Sequence, residues 1–164
     1  MTTQDEREIS RDRMRYIKNK QSANLCYLGI LFDVLFFVNI FKSDVGTYYY
    51  NIWIGISIVY NLIFLLVAFL ASESVKSYVK NYSYALFFLG IMQFVRIFII
   101  PMRAYRATTL INNEAVRVMG SGQFFRVVIY LVLSGAALLA AGYINLKKCN
   151  ELSEHLKAIG AETA

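Results

Sequence analysis

Apolar residues fall in four long runs along this chain, beginning near Asn24, Ile52, Ser83 and Phe125, with charged or turn-rich stretches between them. A helix rises ~1.5 Å per residue, so about 20 apolar residues cross a hydrocarbon core of ~30 Å. Each run has roughly that length. The pattern predicts an all-α, polytopic integral membrane four-helix bundle with spans over residues 24–42, 52–71, 83–101 and 125–146. Residues 1–22 read as a cytoplasmic, amphipathic and basic segment, 23–147 as the transmembrane domain, and 148–164 as a cytoplasmic helical tail. The first run is too long for a secretory h-region and lacks a small-residue cleavage site, so it is expected to remain as a signal anchor.

The runs are interrupted by polar residues at about the same depth. Asp33, Asn61, Gln93, Arg96 and Ser134 fall near the middles of their runs. Helical spacing sorts them into stripes with their neighbours: Cys26, Gly29 and Asp33; Ser57, Asn61, Ala68 and Ser72; Gly90, Gln93 and Arg96; Arg126, Tyr130, Ser134, Ala137 and Ala141. Lipid rejects such faces, so the stripes are expected to point at one another or at a partner. Asp33 and Arg96 would each cost about 2.5–3.5 kcal/mol at the centre of an isolated span. Pairing offsets that cost, and a salt bridge between them is predicted, with Gln93 and Asn61 filling the remaining hydrogen bonds. The bland reading of this buried layer is a clasp that sets helix register. The sharper one is a proton or substrate site that uses Asp33. In the fourth run, Gly135 and the pair Ala136 and Ala140 are small residues at helix-packing spacing, which predicts close approach to a neighbouring span or a second subunit.

Charge orients the bundle. Arg7, Arg11, Arg13, Arg15, Lys18, Lys20, Lys76, Lys80, Lys147, Lys148 and Lys157 fall on one side, and Lys42, Arg103, Arg106 and Arg117 on the other. The positive-inside trend then predicts both termini in the cytoplasm, in the cell membrane. The sequon Asn81-Tyr82-Ser83 lies on the predicted cytoplasmic side, out of reach of glycosylation. Tyr48-Tyr49-Tyr50 and Trp53 read as an interfacial anchor. Pro101 is expected to close the third span, and the long outer connection from Met102 to Gln123 to form a helix on the membrane surface. That helix would hold its basic residues Arg103, Arg106 and Arg117 at phosphates, with a hinge at Gly120-Ser121-Gly122. Leu152, Leu156 and Ile159 repeat at helical spacing, so the last span is expected to continue as an amphipathic helix.

Composition narrows the chemistry. Of 164 residues 57% are apolar, which leaves no room for a water-soluble domain of ordinary size beside four spans. Cys26 and Cys149 stand alone, and His155 is the single histidine, so neither a zinc pattern nor a redox pair is formed and no cofactor is expected. No nucleophile elbow, phosphate loop or paired carboxylate occurs, and no catalytic residue is assigned. The N-terminal basic segment is expected to meet anionic lipid headgroups rather than nucleic acid. The sequence therefore reads as a small non-enzymatic membrane protein, an accessory or scaffold subunit of a larger membrane complex. Its partner would be the bilayer with another membrane protein or further copies of itself. The alternative is a small oligomeric transporter or channel built on the layer around Asp33.

Overall fold

The computed structural model describes residues 19–41, 52–111 and 114–158. The basic stretch from Arg7 to Lys18, the loop with Tyr48 to Tyr50, and Ile159 in the tail lie outside the described residues, as do the side chains of Trp53, His155 and Leu156. Five helices and one hairpin follow in order: α1 (Lys20–Phe41), α2 (Ile52–Lys76), α3 (Asn81–Ile99), α4 (Pro101–Arg106), β1 (Thr108–Ile111), β2 (Glu114–Arg117) and α5 (Ser121–Ala158). α1, α2, the α3–α4 path and α5 are each long and apolar enough to cross a membrane. The chain is thus helical with four candidate spans. α5 has 38 residues and runs about 57 Å at ~1.5 Å per residue, well beyond a ~30 Å hydrocarbon core. The helical continuation of the last span is therefore present as far as Ala158.

Each helix buries one stripe at alternating steps of three and four, the spacing that keeps a seam facing a neighbour. In α1 the buried positions include Ser22, Cys26, Asp33, Phe36 and Ile40, and in α5 Val127, Leu131, Ser134, Leu138, Ala141 and Asn145. α5 is the central strut, packing along both α1 and α3, while α2 lies mainly on α1 and less closely on α3. The opposite faces carry exposed apolar side chains such as Leu62, Phe88 and Ile129, an arrangement suited to lipid as the solvent.

Glycine lets α5 come close. A Cβ on Gly135 would sit 2.8 Å from the Phe94 ring and 3.1 Å from the Gly90 carbonyl oxygen, and one on Gly142 would lie 3.1 Å from the Ser83 carbonyl oxygen. Ala136 and Ala140 are both exposed, so within the chain the expected close packing does not run through that pair. They lie about 100° around α5 from Ala137 and Ala141, which do enter the interface. Arg126 likewise leaves its predicted stripe and is exposed. The seam passes through Val127 instead, because two successive steps of four turn the helix away from the face set by Ser134.

Two connections matter for the site. α2 ends in a tight turn in which Val79 N–H donates to the Ser74 carbonyl and Tyr78 N–H to that of Val75. Tyr78 takes a left-handed φ of 59°, the conformation that usually favours glycine at this kind of helix end. At the other end of the bundle the expected surface helix is absent. Pro101 is the first residue of α4, so the helical path breaks at Ile100 and then resumes to Arg106 instead of closing. The chain then forms an antiparallel hairpin, Thr108 opposite Arg117 and Ile111 opposite Glu114. Thr108, Thr109, Ile111 and Val116 are β-branched residues that favour strands, and Asn112-Asn113 between the two strands is turn chemistry. Local strand preference outweighed the helix formers on either side. Met119 then re-enters the core beside Phe36, Ile40 and Ala104.

Gly135→Val is expected to lower bundle stability by about 1–3 kcal/mol through overpacking against Phe94 and the α3 backbone. Gly55→Ala, where a Cβ meets open space, is expected to lose nothing. Thermal melting of the two variants in mild detergent measures the contrast.

Candidate functional site

Asp33 sits on the buried stripe of α1, Asn61 on that of α2, Gln93 and Arg96 on that of α3, and Ser134 on that of α5, and all five side chains converge. None is more than 3% exposed. Arg96 Nη1 donates to Asp33 Oδ1 at 2.8 Å, forming the ion pair, and Arg96 Nη2 donates to Asn61 Oδ1 at 2.6 Å. Gln93 Nε2 donates to Asp33 Oδ1 at 2.9 Å and to Ser134 Oγ at 3.1 Å. Ser134 Oγ in turn donates to the Gly29 carbonyl at 2.8 Å, which closes the network onto the α1 backbone. One connected set of hydrogen bonds thereby ties all four spans at a single depth.

Aromatic rings complete the guanidinium's surroundings. The Arg96 guanidinium carbon lies 4.3 Å from the centre of the Phe36 ring and 5.1 Å from that of Tyr60. A desolvated cation over an aromatic face gains about 2 kcal/mol, so these rings replace part of the lost hydration. Neither ring stands out from the other aromatic residues of these helices in the sequence. The available signal was position: Phe36 is one turn from Asp33, and Tyr60 adjoins Asn61. Four buried polar atoms in this region have no hydrogen-bond partner among the described residues: Asp33 Oδ2, Gln93 Oε1, Arg96 Nε and Tyr60 Oη. The network therefore keeps unused acceptor and donor capacity. Tyr60 also forms part of the wall of an apolar groove of about 170 Å³ between α2 and α3, together with Phe64, Phe88 and Met92.

A second polar network, unanticipated from sequence, lies at the end of the bundle that holds the α2–α3 turn. Asn145 of α5 accepts from Asn19 Nδ2 at 3.0 Å and donates through Nδ2 to Ser83 Oγ at 2.8 Å and to the Val79 carbonyl at 3.2 Å. Ser22 Oγ donates to the Ala141 carbonyl at 2.6 Å, and Lys148 Nζ to Asn19 Oδ1 at 3.2 Å. Asn19, Ser22, Ser83 and Asn145 are fully buried. Ser22, Ser83 and Asn145 lie on the continuations of the stripes through Asp33, Gln93 and Ser134, about three helical turns away, and Asn19 immediately precedes α1. Extending the stripes by those turns would have found it.

Arg103, Arg106 and Arg117 do not join either network. Arg103 and Arg106 are exposed on α4, and Arg117 on β2 is held by Tyr105 at the opposite end of the bundle. Cys26 and Cys149 are free thiols in separate surroundings. Among the described residues no three His, Cys, Asp or Glu side chains gather as a metal-holding group. The chain matches no protein-family model, no curated protein and no solved structure, so its own geometry carries the functional reading.

Removing one member of the ion pair strands the other charge, at a cost of about 3–5 kcal/mol. Asp33→Asn and Arg96→Gln are each expected to lower folded yield and melting temperature, while the double variant loses less than the sum of the two. A double-mutant cycle on purified protein reads the coupling. Wild-type yield and melting in both single variants would refute the clasp.

Proposed function

We propose that this chain is a non-enzymatic integral membrane protein that serves as an accessory or scaffold subunit of a larger membrane complex. The observation that carries this reading is the closed geometry at mid-depth. The polar side chains of the four long helices are turned onto one another and buried, an arrangement suited to fixing register. Such a clasp yields a rigid apolar exterior, and rigid apolar surfaces suit docking against other spans. The 38-residue α5 adds a helical extension beyond the hydrocarbon, with exposed Lys147, Glu151 and Glu154, as a second point of attachment. In this reading both termini face the cytoplasm and the protein resides in the cell membrane, as the Lys/Arg distribution favours.

A transporter is the second reading, and one observation favours it. The unpartnered atoms of Asp33, Gln93, Arg96 and Tyr60 are more hydrogen-bonding capacity than a purely structural clasp needs. Such a site would take a proton or a small polar solute, with Asp33 as the group that changes state.

Native mass analysis of the complex extracted from its own host in mild detergent is expected to show stoichiometric co-purification of a different membrane protein. A lone homo-oligomer with Asp33-dependent solute flux would overturn the scaffold reading in favour of transport. Orientation has its own test: Asn81, exposed at the start of α3, is expected to stay unglycosylated in a eukaryotic host. A glycan there would reverse the assignment of sides.

A further inference from the structure

α2 is the least buried of the four long helices, and its burial is lopsided. Its buried residues, Asn61, Phe64, Ala68, Ala71, Ser72 and Val75, all lie from the midplane layer toward the α2–α3 turn. Continued toward the hairpin end, the same seam reaches Ser57 and Ile58, which are only half-buried, beside exposed Gly55, Ile56 and Val59. The other elements stay buried over that stretch, with Phe36 and Ile40 on α1, Ala104 on α4, and Val127 and Leu131 on α5. The core cluster there holds no described residue of α2.

Close approaches follow the same division. An added Cβ would fall 2.9 Å from Leu138 at Gly29 of α1, 2.7 Å from Leu139 at Gly90 of α3 and 2.8 Å from Phe94 at Gly135 of α5, so these three helices interlock. The single glycine of α2, Gly55, meets open space. At the turn end α2 is tied to α1. The Tyr27 hydroxyl donates to Glu73, Lys76 Nζ donates to Tyr27 Oη at 3.0 Å, and the Asn19 N–H donates to the Lys76 carbonyl at 3.3 Å. At mid-depth Asn61 Oδ1 accepts from Arg96 Nη2 at 2.6 Å. Tyr60, the next residue toward the hairpin end, lays its ring over the guanidinium, 5.1 Å from centre to carbon. The Tyr60 hydroxyl and Arg96 Nε have no hydrogen-bond partner among the described residues.

A helix held at one end and loose at the other moves by tilting about its packed end. We propose that α2 is a gate over the buried ion pair. Tilting about its contacts at the turn end, with the Asn61–Arg96 bond as the latch, it lifts Asn61 and Tyr60 off the guanidinium. A guanidinium bared to hydrocarbon is costly, so the open state is one in which water or a small polar solute enters and bonds Arg96 Nε and the Tyr60 hydroxyl. α1, α3 and α5 stay interlocked and keep the rigid surface that a scaffold needs. The gate serves the transport reading, yet it is tested by distances, whereas co-purification and flux test the two functional readings.

Double electron–electron resonance on the full-length chain in phosphatidylcholine nanodiscs measures the tilt. Spin labels at I56C/F98C report the hairpin end of α2 and α3, and labels at L70C/Y84C report the turn end, all four at exposed positions. Native Cys26 and Cys149 are buried, and wild type carried through the same labelling reports any reaction there. The first pair is expected to give a closed distance with a longer minor population, and the second a single narrow distance. N61L removes the latch, a hydrogen bond to a charged group. It is expected to raise the longer population of the first pair about tenfold and to leave the second pair unchanged. A first pair unmoved by N61L overturns the gate, and so does equal broadening of both pairs, which is general loosening. If N61L fails to fold, the contrast without it decides: equal widths in the two pairs overturn the proposal, and a broader first pair supports it.

Discussion

Hydrocarbon offers no hydrogen bonds, so any polar group that enters it must find its partner within the protein. The Asp33–Arg96 ion pair is the most demanding case in this molecule, and the rest of the bundle is arranged around it. A carboxylate from α1 and a guanidinium from α3 meet only if those helices hold one rotation and one relative height. Asn61 adds α2 to that requirement and Ser134 adds α5. A slide of either charged helix by one turn, about 5.4 Å, would leave two charges unpaired in lipid. The pair is therefore better understood as a device for register than as a source of net stability, since apolar replacements of buried pairs are often as stable.

The second network makes the same point at a different depth. Asn145 joins the start of α1, the α2–α3 turn and α3 to the central helix, so the bundle is pinned at the midplane and again near one end. Between the two pins α5 approaches α3 closely enough that glycine is required at Gly135 and Gly90. α2 takes part in the first network through one asparagine and packs less closely on α3, which leaves the groove beside Tyr60. The tightness of packing thus follows the distribution of polar bonds and small residues. It does not follow hydrophobicity, which is high in every span.

The hairpin end obeys another rule. Thr108, Thr109 and Ile111 before Asn112-Asn113 and Val116 after it favour strands, and a four-residue ladder forms in a segment whose flanks are helical, with Met119 anchoring its return. Charge there is organised by an aromatic relay from Arg117 through Tyr105 to Phe124. The two ends of the bundle consequently differ in kind. One is closed by buried asparagines and serines, and the other presents arginines and exposed apolar side chains to its surroundings.

The number of spans and the membership of the midplane layer were legible in the sequence, because run length and helical spacing are one-dimensional quantities set by bilayer thickness and the 3.6-residue turn. Asp33, Asn61, Gln93, Arg96 and Ser134 announce themselves as polar residues where lipid would reject them. Which neighbours serve them was not legible. Phe36 and Tyr60 look like any other aromatic residue of a span, and only the crossing of helices places their rings on the guanidinium. Spacing did place Ala137 and Ala141 on the inward Ser134 stripe, but it did not separate Gly135, which enters the interface, from Ala136 and Ala140, which face outward. That choice depends on the rotation of α5, and the rotation is decided by the sum of contacts on all its sides. Sequence determined what must be buried; tertiary packing decided against what.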